Sequence, residues 1–155
     1  MPTRWLDDDE QKAWRAFLQA SRLLMDRLDR ELQIESGLPH AYYEILVRLS
    51  DAPDRAMRMA DLADVTYSSR SRLSHAVAKL EQLGYVERVE CPTDGRGTLA
   101  HLTDEGFAAL KEAAPGHVTG VRTHLFDQLT ESEVRQLRRI SDSIVDRLHE
   151  VNGRE

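Results

Sequence analysis

Residues 68–80 read Ser68-Ser69-Arg70-Ser71-Arg72-Leu73-Ser74-His75-Ala76-Val77-Ala78-Lys79-Leu80. Wound as a helix, this stretch puts Leu73, Val77 and Leu80 on one face. Ser71, Ser74, His75, Ala78 and Gln82 fall on the opposite face, with Arg70, Arg72 and Lys79 at its edges. The stretch holds three basic residues and no acid, in a chain whose net charge is −6. Short, hydrogen-bonding side chains flanked by cations suit a helix that enters the DNA major groove. Small residues permit close approach, polar tips reach base edges, and cations meet phosphates. A solvated helix face with serines as filler is the plainer alternative, and the flanking sequence weighs between the two.

Ser68 is the expected N-cap of a helix over 69–83, which Gly84 ends. Before it, 58–65 reads as a short helix with Met59, Leu62 and Ala63 inward, joined by Thr66-Tyr67-Ser68. After it, Tyr85–Cys91 is β-prone, Pro92–Gly97 is a turn, and Thr98–Leu102 is a returning strand. A short helix, a tight turn, a longer helix and a two-stranded hairpin make the winged helix-turn-helix layout. Arg96 stands between two glycines at the hairpin tip, where it can enter a narrow minor groove of enhanced negative potential. Phosphates would repel Asp94, which is better placed to orient Arg96 or an arginine of the preceding helix.

Long helices bracket this centre. Residues 8–36 carry Trp14, Phe17, Leu18, Leu24, Met25, Leu28 and Leu32 at three- and four-residue steps, and Gly37 is the stop. Pro39 suits the first turn of a helix over 39–51, with Tyr42, Ile45, Leu46 and Leu49 inward. Thr103 caps a further helix that Pro115-Gly116 should kink or break. Thr130-Glu131-Ser132-Glu133 is a capping box opening a last helix to about residue 151. The terminal helices are too long for so small a core, so their apolar stripes call for a second copy of the chain. The expected fold is mainly α with a small β-hairpin wing. Its parts are an N-terminal dimerisation arm (1–36), a DNA-binding lobe (37–106, wing 85–102) and C-terminal dimerisation helices (107–155).

Composition narrows the classes. At 155 residues with 41% apolar residues, the chain can bury a core without disulfides or metal. The net charge of −6 excludes a uniformly basic nucleic-acid coat and leaves room for a local patch. A lone cysteine, Cys91, excludes an internal disulfide framework. No signal-peptide or membrane-spanning run is visible, so a cytoplasmic location is expected. His117 and His124, seven residues apart, lack the tighter spacing and third ligand of a zinc site. No catalytic or cofactor motif is visible, so neither an enzyme nor a cofactor is expected.

At the wing the resemblance becomes specific. The chain resembles MarR-family transcriptional regulators, whose wing signature is Asp-x-Arg followed, after a strand, by Leu-Thr-x-x-Gly. Here it stands as Asp94-Gly95-Arg96 and Leu102-Thr103-Asp104-Glu105-Gly106, with residues 69–80 in the recognition-helix position. Leu83-Gly84-Tyr85-Val86 resembles the family's exit from that helix. The resemblance implies a homodimer whose two lobes read a palindromic operator in double-stranded DNA. The contacts are drawn from Ser69, Arg70, Ser71, Arg72, Ser74, His75, Lys79 and Arg96. Relatives often carry arginine where His75 stands, and a neutral imidazole offers no bidentate fork. Protonated, His75 would add a cation beside phosphate, so operator affinity should rise as pH falls. The resemblance also implies a repressor released by a small aromatic or anionic effector between arms and lobe, where Arg22, His40 and Tyr43 are candidate polar groups. The competing reading is a winged helix that binds protein rather than DNA, favoured by the acidic net charge and opposed by the cationic helix.

Overall fold

The computed structural model describes residues 1–91 and 97–153. The wing turn at 92–96, with Asp94 and Arg96, lies outside the described residues. The chain divides into two compact units, Met1–His117 and Val118–Glu155.

In the first unit, helix α1 spans Asp8–Ser36. Asp7 accepts from the Glu10 amide while the Glu10 carboxylate accepts from the Asp7 amide, a reciprocal cap ahead of an acidic first turn. Gly37, at φ 73°, ends the helix in the left-handed conformation. Helix α2 spans His40–Asp51. Pro39 is its N-cap residue and not part of its first turn, and with no hydroxyl or carboxylate it offers no side-chain cap. Asp29 of α1 supplies one from a distance, accepting from the His40 amide at 2.8 Å.

Strand β1 (Ala56–Arg58) leads into helix α3 (Met59–Val65), and helix α4 follows at Arg70–Gln82. The α4 cap is Ser69, whose hydroxyl accepts from the Arg72 amide, rather than the expected Ser68. The wing strands are β2 (Val86–Glu90) and β3 (Thr98–Leu102). The expected two-stranded hairpin is in fact a three-stranded antiparallel sheet in the order β1-β3-β2, because Ala56–Arg58 pairs with Leu99–His101. Leu46, Leu49, Leu62, Leu73, Val77, Leu80, Val86 and Leu102 bring α2, α3, α4 and the sheet onto one core. The inward stripe expected of 69–83 is therefore the inward stripe found.

Helix α5 spans Asp104–Val121 and does not break at Pro115, where a kink or a break was expected. Proline removes one N–H donor, but the register on either side is kept by the rest of the ladder. A π-helical turn, Arg122–Phe126, follows it.

In the second unit, helix α6 (Glu131–Asn152) opens with the reciprocal Thr130–Glu133 cap. None of its residues is buried, and Leu137, Ile140, Ile144, Leu148 and Val151 form an exposed stripe at three- and four-residue steps. α1 behaves similarly over residues 8–27, none of which is buried. Leu28 and Leu32 are buried, whereas Trp14, Phe17, Leu23 and Met25 are exposed.

Candidate nucleic-acid interface

The α4 helix turns Leu73, Ala76, Val77 and Leu80 into the core. That anchors the opposite face outward: Ser69, Arg70, Ser71, Arg72, His75, Lys79 and Gln82 are exposed, and Ala78 is half-buried. Arg70, Arg72 and Lys79 form no ion pair among the described residues. The one acid of α4, Glu81, is held by Arg88 of β2 at 2.9 Å. The exposed cations at the edges of this helix thus stand without a carboxylate partner among the described residues, in a chain of net charge −6.

Two grooves flank the ridge. One lies between α2 and α4 and is lined by Tyr42, Glu44, Ser68, Ser71, Arg72 and His75. Its carboxylate, Glu44, faces Arg48 at 3.6 Å. The other lies toward α3 and the wing base and is lined by Arg58, Arg70, Ser74, Arg88, Gly97 and Thr98. Ser71 and His75 thus face one side and Ser74 the other. Ser74 is half-buried, with its carbonyl 2.8 Å and its hydroxyl 3.4 Å from Nη2 of Arg88. Arg58 and Arg88 were not singled out from the sequence. For Arg88 the only signal was alternation: it shares a strand face with the buried Val86.

Thr103 joins the wing to the exit of α4. Its hydroxyl donates to the Gly84 carbonyl at 2.6 Å and accepts from the Gly106 amide at 3.0 Å. A side chain at Gly106 would collide with the Tyr85 carbonyl.

The residues proposed for an effector are only partly brought together. Tyr43 is buried in the core, and His40 is half-buried at the start of α2. Both meet His117 of α5, with ring centroids 4.6 Å apart for Tyr43 and 5.5 Å for His40. Burial, and then the charge of His40, hold His117 below the usual imidazole range, and burial raises the Tyr43 phenol. His117 Nδ1 is buried without a hydrogen-bond partner among the described residues. Arg22 is exposed on α1, about two turns N-terminal to Asp29, the residue that touches His40. Cys91 is buried at the end of β2. No group of three metal-ligating side chains occurs among the described residues.

A sequence profile of the MarR family matches residues 36–97. A MarR family transcriptional regulator of Streptomyces coelicolor, crystallised in complex with DNA, is 48% identical, with TM-score 0.91 over 94% of this chain and 91% of that one. AbsC, another MarR family transcriptional regulator of Streptomyces coelicolor, is 42% identical, with TM-score 0.90 over 95% of this chain and 99% of that one. The transcriptional repressor MprA of Escherichia coli strain K12 is 25% identical over 131 residues, which is 84% of this chain and 73% of that protein.

Proposed function

The chain belongs to the MarR family of transcriptional regulators, and from that premise we propose that it binds duplex DNA by seating α4 in the major groove. The observation that carries this reading is the exposed, cation-edged face of α4, whose Arg70, Arg72 and Lys79 have no carboxylate partner among the described residues. Ser71, Ser74 and His75 supply the polar tips that touch base edges. Arg70, Arg72 and Lys79, with Ser69 at the helix N-terminus, meet phosphates. Arg96 enters the adjacent minor groove, and Asp94 orients Arg96 or an arginine of α4.

The working form is a homodimer. Exposed apolar stripes on α1 and α6 support this, since each side chain fully buried contributes about 1.5–3 kcal/mol. Residues 1–36 and 107–155 supply the dimerisation helices, and 37–106 supply the reading lobe. Two copies read a palindrome and repress by occluding a promoter. An aromatic or anionic effector that engages His40, Tyr43 and Arg22 releases the DNA. A cytoplasmic location accords with work as a transcriptional regulator, and no helix among the described residues is long and apolar enough to cross a membrane.

Selecting the preferred duplex from a random pool tests the reading. A palindrome with half-site centres about one helical turn apart is the expected product. Recovery of no preferred duplex, with no binding to random duplex at low salt, contradicts it. A thermal-shift screen of small aromatic acids tests the effector. A stabilising acid that also releases DNA is expected, and no shift with any acid contradicts it.

A further inference from the structure

We infer that Arg88 is a positioning residue that locks the wing to the reading helix and so sets sequence preference without touching DNA. The inference rests on the proposed DNA-binding role of α4. Arg88 lies on β2, on the same strand face as the buried Val86, so its side chain leaves the sheet toward the core and reaches α4. There it makes two separate attachments. Nη2 donates to the Ser74 carbonyl at 2.8 Å, and Nε meets the Glu81 carboxylate at 2.9 Å. The Ser74 carbonyl already serves the helical ladder, and its second lone pair takes the guanidinium. One planar fork thus spans two points of α4 that are seven residues apart. Lysine, a single ammonium on a flexible stem, cannot hold both in fixed geometry.

The same guanidinium lies 3.4 Å from the Ser74 hydroxyl. Donation from Arg88 occupies a lone pair of that oxygen and leaves its O–H to donate outward. Ser74 is thereby set to read an acceptor on a base edge. Arg88 is only about a third exposed in its side chain, and its charge is already met by Glu81. Among the arginines at this groove, Arg70 is the exposed one with no ion-pair partner among the described residues, and it is the one suited to phosphate.

The test measures binding of the full chain to its selected duplex and to random-sequence duplex, each over a salt series. It uses wild type, Arg88→Lys, Arg88→Ala and Glu81→Gln. The ratio of specific to random affinity is expected to fall about tenfold in Arg88→Lys and Arg88→Ala, the scale of one lost base-pair preference. A smaller fall is expected in Glu81→Gln, which keeps the arginine and loses only its ion pair. The slope of log affinity against log salt should stay at the wild-type value in all three variants, because no phosphate contact is removed. A slope reduced by about 0.9 in Arg88→Ala would make Arg88 a phosphate contact and overturn the inference. An unchanged affinity ratio in both Arg88→Lys and Glu81→Gln, even with a lowered melting temperature, would reduce the bridge to a purely structural one and also overturn it. A wild-type chain with no duplex preference would overturn the DNA-binding reading as well.

Discussion

Gly106 sits so close to the Tyr85 carbonyl that no side chain fits between α5 and the start of the wing. Thr103 holds the same junction from the other side, bonding Gly84 and Gly106 together. The spacing Leu102-Thr103-x-x-Gly106 is therefore a packing rule: a cap, then a contact only glycine permits. Gly106→Ala must displace backbone, and it is expected to destabilise the chain by about 1–3 kcal/mol. Urea denaturation measures this, and a change within about 0.5 kcal/mol would contradict it.

His117 gives stability a pH dependence of defined sign. Burial, then His40, lowers its folded-state pKa from 6.5. As pH falls, the unfolded chain takes up this proton first, so the ring's contribution is complete above about pH 6.5 and is lost as pH drops through the folded-state pKa. The melting temperature should fall between about pH 7.5 and 5.5, and fall less in His117→Gln. Equal falls in the two proteins would contradict the assignment.

Much of this could be read from residues alone, and the failures have physical causes. The α4 stripe was legible because Leu73, Val77 and Leu80 repeat at helical spacing, and the Thr130–Glu133 cap because its two side chains act locally. Strand β1 was missed because its three residues carry no alternation; its partner, β3, lies about forty residues away in sequence. Of the kink or break expected at Pro115, the break did not occur, since a proline deletes one hydrogen bond but tertiary packing can carry a helix across it. The His40–Tyr43–His117 contact joins positions more than seventy residues apart, which no local pattern encodes. In sequence the neighbouring histidine is His124, seven residues on, at a spacing that does not suit a zinc pair.

The exposed stripe of α6 predicts an association phenotype. Ile144 and Leu148 lie one turn apart on it. Ile144→Arg and Leu148→Arg should each shift the chain from dimer toward monomer in sedimentation velocity, by placing a charge in an apolar contact. A wild-type monomer, or variants that dimerise as wild type does, would contradict the proposed arms.

The salt dependence of duplex binding tests the central claim most directly. Arg70→Ala, Arg72→Ala and Lys79→Ala remove exposed charges that have no ion-pair partner among the described residues, so each should reduce the slope of log affinity against log salt by about 0.9. The predicted result is a steep wild-type slope that becomes shallower with each substitution and shallowest in the triple variant. A wild-type slope near zero, or one that the triple variant leaves unchanged, would show that this helix does not lie against DNA.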